Sequence, residues 1–127
     1  MKELESKIYQ YLKDRDWDNL RPSDLAKSIM IEGAELLELF QWENFSLAKV
    51  KSNKEKLEEI KGELADVLIY AIEMSVLLGM DTKKVIYDKL LHVEKKYPVS
   101  LVKNKKHDVK SASNYYRIKK EYRKKGL

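Results

Sequence analysis

Apolar residues recur at intervals of three and four along most of the chain, and no long segment alternates between apolar and polar positions. This periodicity predicts helices rather than strands. We predict helices at about residues 2–14, 23–42, 53–78 and 81–97, and a short one in the tail at about 114–124. Ser23 is the expected N-cap of the second helix, Gly79 suits the left-handed end of the third, and Pro98 stops the fourth. The expected fold class is all-α, a bundle of four to five helices.

The length of 127 residues fits a single domain with a modest core. The chain has no cysteine, which excludes disulfides and thiolate metal sites. Its first residues are charged, unlike a signal peptide. The longest apolar stretch, residues 67–80, is interrupted by Glu73 and is shorter than the roughly 18 residues of a membrane span. We therefore expect a soluble, cytoplasmic protein without a membrane role.

The charge is divided unevenly along the chain. Ten Lys and Arg against two acids give residues 99–127 a net charge of +8, and the total of +5 leaves −3 for residues 1–98. We therefore expect a domain over residues 1–100 and a basic C-terminal tail over residues 101–127, part of it helical. The tail also interleaves tyrosines with basic residues, a pattern that suits single-stranded nucleic acid. A solvated extension and a nucleic-acid-binding arm both remain open.

Two pairs of acidic residues lie within the more apolar parts of predicted helices. Glu32 and Glu35 are three residues apart on the second helix, and Glu63 and Asp66 are three apart on the third. This spacing places each pair on one helix face. Such pairs on a single helix usually mark a solvated stripe, but two pairs on successive long helices favour a cluster of four carboxylates. Like charges so close together would destabilise the fold unless a cation joined them.

Carboxylate ligands suit Mg²⁺, or Mn²⁺ in its place, better than zinc, which prefers His and Cys. The pattern thus predicts a magnesium site between the two helices.

The acidic pairs and the words around them resemble the MazG-like all-α NTP pyrophosphohydrolases, in particular the branch that includes dCTP pyrophosphatases. The signature is ExxE, here Glu32 to Glu35, followed after 27 residues by ExxD, here Glu63 to Asp66. Further matching words are Arg15-Asp16-Trp17, residues 34–42, residues 64–70 and residues 95–98. The resemblance covers about residues 5–100 and does not extend over the tail.

The resemblance implies a Mg²⁺-dependent hydrolase that cuts a nucleoside triphosphate, at the α-phosphorus, to the monophosphate and pyrophosphate. It implies that Glu32, Glu35, Glu63 and Asp66 are the metal ligands and catalytic residues, with Glu35 or Glu32 as general base. It also implies a homodimer or homotetramer, in which a second subunit completes the bundle. The chain agrees with this, since its many Leu, Ile and Val exceed what one small subunit easily covers.

The resemblance further implies six substrate-binding residues. Those that frame the base are Trp17, Trp42 and Tyr70, and those that contact phosphates or the base are Lys89, Lys96 and Tyr97. The alternative is that the aromatic residues belong to the core or to an interface and that the lysines are solvated.

The base and the sugar remain open, as does whether the natural substrate is a modified nucleotide cleared from the pool. Many relatives carry His-x-Pro-Lys/Arg-Asn where this chain has residues 20–24, Leu-Arg-Pro-Ser-Asp. Many also carry Asn five residues before the Pro of the Tyr-Pro pair, where this chain has Val93, so a polar contact to the base is expected to be missing. Two competing hypotheses are a non-catalytic helical protein that binds nucleic acid through its basic tail, and a nucleotide sensor that keeps the fold without the activity.

Overall fold

The computed structural model describes residues 1–103 and 109–127. Every regular element in this part of the chain is helical, which confirms the all-α prediction. The helices are α1 (Lys2–Lys13), α2 (Pro22–Glu38), α3 (Leu47–Lys51), α4 (Lys54–Leu77), α5 (Thr82–Lys96), α6 (Val99–Val102) and α7 (Val109–Lys124). Part of the predicted basic tail, with Lys105, Lys106 and Asp108, lies outside the described residues.

The ends of the helices follow local chemistry. The Asn53 side chain accepts a hydrogen bond from the Lys56 backbone N–H at 3.0 Å and so caps α4. Gly79, just beyond α4, adopts a φ of +69°, a left-handed conformation that glycine takes without strain. The prediction of Ser23 as N-cap of α2 is wrong. The helix already begins at Pro22, because the fixed φ of proline suits a first turn, and Arg21 is the cap residue.

The chain divides into two compact units, residues 1–82 and residues 83–127. In the first unit, α1 and α2 both pack against α4. The buried centre of this unit consists of Ile8, Leu12 and Ile72, with Leu20, Val76 and Leu77 packed against them. Leu12 has no exposed surface at all. Burial of these apolar side chains stabilises the arrangement that sets α2 beside α4.

Lys56 joins the end of α2 to the start of α4. Its ammonium group donates a hydrogen bond to the backbone carbonyl of Leu39 and lies 2.9 Å from a carboxylate oxygen of Glu43. Only 13% of its side chain is exposed. Because carbonyl groups at a helix C-terminus carry partial negative charge, a cation is favourable there. Lys56 therefore helps to hold α2 in register with α4.

The second unit, residues 83–127, contains most of α5 together with α6 and α7. Ile118 of α7 is buried, and the Tyr97 ring stacks on Tyr115 with centroids 5.2 Å apart. The Lys96 ammonium lies 5.2 Å from the centroid of the Tyr122 ring. This unit is thus held partly by rings and cations rather than by aliphatic packing. Among the helices that the structure describes, none is long and apolar enough to cross a membrane.

Candidate functional site

The candidate site lies where α2 packs against α4. Each helix presents an acidic pair at a spacing of three residues, so each pair occupies one face. One carboxylate oxygen from each of Glu32, Glu63 and Asp66 lies within 4.8 Å of the others. Glu32 and Glu63 are half-buried, whereas Asp66 is exposed. The structure therefore brings carboxylates from both helices together, as the sequence predicts.

Glu35 stands beside this group of three. Its carboxyl acts on both Glu32 and Glu63 through charge and hydrogen bonding, although it does not belong to the mutually close set. Its side chain is exposed. All four predicted acids thus share one neighbourhood, with Glu35 at its solvent side. We call these four residues the acidic cluster.

The acidic cluster is electrostatically costly without a cation. Burial is the first cause that raises the pKa of Glu32, followed by the charge of Glu35. Burial likewise raises the pKa of Glu63, with further contributions from Glu35 and Asp66. Among the residues that the structure describes, no Lys or Arg forms an ion pair with the cluster. The described part of the chain therefore supplies no ion-pair partner for the cluster.

One oxygen of the cluster has no partner within the described part of the protein. Oε2 of Glu63 is buried and makes no hydrogen bond there. A buried, unpaired carboxylate oxygen costs free energy unless a donor or a cation meets it. Several carboxylate oxygens with one such orphan fit a hard divalent cation. The cluster can therefore hold a metal ion, and its donor set is one that oxygen-seeking ions prefer.

A cavity of about 230 Å³ opens near the acidic cluster, between the end of α1, the start of α2 and the C-terminal part of α4. Its apolar walls are formed by Tyr11, Trp17, Leu20, Leu25 and Tyr70. The Tyr11 and Trp17 rings meet edge to face, with centroids 6.1 Å apart. Its polar lining residues are Asp24, Ser28 and Glu73. Flat walls of this kind suit a ring that stacks on aromatic side chains.

Tyr70 connects the cavity with the acidic cluster. It lines the cavity and follows Asp66 by four residues, so both project from the same face of α4. Burial is the first cause that raises the pKa of its hydroxyl, and the charges of Glu73, Glu32 and Asp66 contribute as well. The Tyr70 hydroxyl is therefore influenced both by carboxylates of the acidic cluster and by Glu73 in the cavity. The cavity and the cluster are therefore neighbouring parts of one surface.

The six residues predicted to bind substrate do not all meet. Trp17 and Tyr70 line the same cavity. Trp42 lies in the turn after α2 with 89% of its surface exposed and does not line that cavity. Lys89, Lys96 and Tyr97 belong to the second unit, where Lys96 lies over the Tyr97 ring at 5.5 Å. A role for Trp42 and these three residues in substrate binding stays a prediction.

Sequence reasoning missed Glu73 and Tyr11, which also line the cavity. Glu73 carried a signal, because it is a single charge within the most apolar stretch of the chain, residues 67–80. A charged residue in such a stretch is either paired or functional. Tyr11 carried no comparable signal, since an aromatic residue on an amphipathic helix is ordinary.

The fold and the site define an all-helical protein with a cluster of carboxylates between two packed helices. A family model described as the MazG-like family matches residues 27–114, and the chain belongs to that family. The matched segment contains the whole acidic cluster.

Individual relatives agree with this assignment. The chain is 29% identical over 94 residues to dCTP pyrophosphatase 1 of Rattus norvegicus, across 72% of this chain and 55% of that protein. It is 30% identical over 97 residues to the Mus musculus protein of the same name, with the same coverage. The chain thus spans about half the length of the curated relatives it matches.

A solved structure is also similar. The crystal structure of a pyrophosphatase from Archaeoglobus fulgidus superimposes with a TM-score of 0.67 at 34% sequence identity. The similarity covers 77% of this chain and 92% of the archaeal chain. The described helices therefore follow the fold of a pyrophosphatase of known structure.

Proposed function

We propose that this chain hydrolyses nucleoside triphosphates to the monophosphate and pyrophosphate, with Mg²⁺ as cofactor and Mn²⁺ as a possible substitute. The observation that carries the proposal is the acidic cluster, with oxygens of Glu32, Glu63 and Asp66 within 4.8 Å of one another and no cation supplied by the described residues. Membership of the MazG-like family and the names of the relatives support the same reaction. Those names make dCTP the first substrate to test.

In this proposal Glu32, Glu63 and Asp66 hold the metal ion, and Glu35 completes the site at its solvent side. A divalent ion held there offsets the charge of the phosphates and makes a bound water more acidic. Glu35, exposed and outside the close set, is the carboxylate best placed to accept the proton of the attacking water. The buried sides of Glu32 and Glu63 restrict their motion, which keeps the ligand oxygens in position.

The remaining substrate contacts are assigned by the same proposal. Trp17 and Tyr70 hold the base in the cavity, and Trp42, Lys89, Lys96 and Tyr97 contribute further contacts to the base or the phosphates. Residues 1–100 carry the activity, and residues 101–127 form a basic tail. Association into a homodimer or homotetramer is supported by large apolar side chains on α5, where Val85, Ile86, Leu90 and Leu91 are each about half exposed.

The test is to incubate the purified protein with canonical and modified dNTPs and NTPs, with Mg²⁺, with Mn²⁺ and with EDTA, and to measure pyrophosphate and orthophosphate separately. We expect pyrophosphate only, and only with metal. Glu63→Gln removes one ligand charge and should lower kcat by roughly 100- to 1000-fold. The matched control is Glu58→Gln, an exposed acid on the same helix, which should keep the wild-type rate. Orthophosphate as the product, or full activity of Glu63→Gln, would contradict the proposal.

A further inference from the structure

Glu73 lies on the core-facing side of α4, in the last part of the helix, with only 4% of its surface exposed. The residues that the structure describes give its carboxyl no hydrogen bond and no ion pair. The buried hydroxyls of Thr82 and Ser75 differ in this respect, since the Thr82 hydroxyl donates to the Ser75 hydroxyl at 2.8 Å. A buried carboxyl without a partner costs free energy. The carboxyl of Glu73 is therefore available to bind a ligand.

The surroundings of Glu73 indicate what kind of ligand that is. Glu73 lines the cavity that is walled by the rings of Tyr11, Trp17 and Tyr70. None of the residues that line this cavity is Lys, Arg or His. An anionic group would find no counter-charge there. The lining instead favours a flat ring with N–H donors, which stacks on aromatic faces and donates to a carboxyl.

The distance between Glu73 and the acidic cluster along α4 matches the length of one nucleotide, with its phosphates at the cluster and its base in the cavity. Asp66, Tyr70 and Glu73 are spaced by four and three residues and so lie on one face. The helical rise places Glu73 roughly 10 Å further along the axis than Asp66. A nucleoside has a comparable extent from the edge of its base to its phosphates. Phosphates at the acidic cluster would therefore leave the base edge near Glu73.

We propose that Glu73 is the specificity-determining residue for the base and selects a pyrimidine that carries an amino group next to a ring nitrogen, as in cytosine. This inference rests on the proposed function for the identity of the ligand as a nucleotide. The Glu73 carboxyl accepts a hydrogen bond from the amino group. In its protonated form its O–H also donates to the ring nitrogen, so the two edges are complementary.

Two properties favour cytosine over the other bases. Thymine carries a carbonyl oxygen where cytosine has its amino group, and a ring N–H where cytosine has a bare ring nitrogen. Burial raises the pKa of Glu73, which favours the protonated carboxyl, and its O–H donates more strongly to the ring nitrogen of cytosine than to the weakly basic carbonyl oxygen of thymine. The cavity, at about 230 Å³, is smaller than the roughly 300–1000 Å³ of pockets for drug-sized ligands, which suits a single ring better than a purine.

The kinetic test compares kcat/KM for dCTP, dTTP and dATP between the wild type, Glu73→Met and Glu73→Gln. Met has a similar length without hydrogen-bonding groups, so the value for dCTP should fall roughly 10- to 100-fold while that for dTTP changes little. Gln keeps a carbonyl and an N–H and should restore most of the dCTP value. Glu58→Met makes the same substitution on the exposed side of the same helix and should not alter the ratio between bases.

A binding measurement separates this inference from the proposed hydrolysis. Calorimetric titration with dCMP and dTMP in EDTA requires neither metal nor turnover, and we expect dCMP to bind more tightly to the wild type but not to Glu73→Met. A preference for dCMP that depends on Glu73, without any hydrolysis, would sustain the inference and refute the proposed function. Where monophosphates bind too weakly to measure, the kinetic ratio decides.

The inference would be overturned by three results. These are an equal loss for all three nucleotides in Glu73→Met with circular dichroism unchanged, an unchanged ratio of dCTP to dTTP, or a wild-type preference for dTTP or dATP. The first result would assign Glu73 a structural role, and the other two would exclude Glu73 as the group that selects cytosine. Absence of both hydrolysis and binding would overturn the inference together with the proposed function.

Discussion

Two regions of the first unit treat buried carboxylates in opposite ways. Where α1 meets Thr82, Glu5 is 7% exposed, accepts a hydrogen bond from the Thr82 backbone N–H at 2.9 Å and lies 3.3 Å from the Lys2 ammonium. Hydrogen bonding from Thr82, first by its side chain and then by its backbone, holds the pKa of Glu5 below the ordinary value. The chain itself satisfies this carboxylate.

The face between α2 and α4 does the reverse. Burial is the first cause that raises the pKa of Glu32, Glu63 and Glu73, and none of them forms an ion pair within the described residues. The contrast shows that burial of an acid is not by itself a functional sign. What distinguishes the second region is that the described residues form no ion pair with its carboxylates. Three predictions follow from this difference, ordered by the size of the effect.

The largest effect is expected from a divalent cation on the stability of the fold. A ligand that binds only the native state stabilises it by about 2.7 kcal/mol when its concentration is 100 times its dissociation constant. Mg²⁺ should therefore raise the unfolding temperature of the wild type, measured by differential scanning calorimetry. In Glu63→Gln this rise should largely vanish, because one ligand charge is gone.

Without metal, Glu63→Gln is expected to change the unfolding temperature in the opposite direction. In EDTA, Glu63→Gln should unfold at a higher temperature than the wild type, because the substitution removes one of several like charges that repel each other. Glu5→Gln should unfold at a lower temperature and should keep the full response to Mg²⁺. A metal-free Glu63→Gln protein that is less stable than the wild type would show that Glu63 is satisfied in some way that the structure does not contain.

Much of this arrangement was predictable, because it depends on local spacing. The periodicity of apolar residues predicted the long helices, and Gly79 ends the third of them in the left-handed conformation that was expected. The end of α2 was predicted at Trp42 but lies at Glu38. The last helix begins at Val109 rather than near residue 114. The short helix α3 was not predicted, although the Ser46 side chain caps it by accepting from Lys49 N–H at 3.3 Å.

The acidic cluster was likewise predictable, since a spacing of three residues fixes the face on which each pair lies. The cavity was not predictable, because it forms where the end of α1, the start of α2 and the C-terminal part of α4 meet. The spacing of residues within one helix does not determine how three separate segments pack together. Trp42 illustrates the same limit, since its neighbours in sequence do not determine what it contacts after α2 has ended.

A smaller effect on stability is expected at Lys56. Like Glu5, Lys56 is a mostly buried charged residue that has partners within the chain. Lys56→Met removes the donor to the Leu39 carbonyl and the ion pair with Glu43, both at a site that is only 13% exposed. Loss of such a charged hydrogen bond should cost about 1–3 kcal/mol in the free energy of unfolding, measured by urea denaturation.

The matched control for Lys56 is Lys61→Met on the same helix. Lys61 pairs with Glu58, but 68% of its side chain is exposed, so its loss should cost roughly 0–1 kcal/mol. Equal effects of the two substitutions would mean that Lys56 does not hold α2 in register with α4. A greater effect of Lys56→Met that also weakens the response to Mg²⁺ would connect this contact with the geometry of the acidic cluster.

The smallest effect, and the most direct test of the comparison, is the dependence of stability on pH in the absence of metal. The pKa of Glu5 is lowered in the fold, so its stabilising contribution is present above its ordinary pKa of 4.5 and is lost as the pH falls through the lowered value. Glu5→Gln should therefore be less stable than the wild type near neutral pH, and the difference should shrink in acid.

Glu73 should behave in the opposite way, because its pKa is raised in the fold. Its stabilising contribution is complete below the ordinary pKa of 4.5 and is lost as the pH rises through the raised value. Glu73→Gln should therefore unfold at a higher temperature than the wild type near neutral pH and at a similar one near pH 4.5. Thermal unfolding in EDTA across this range gives both difference curves. Two buried glutamates of one unit would then show slopes of opposite sign, whereas slopes of the same sign would remove the distinction between a carboxylate satisfied by the chain and one left for a ligand.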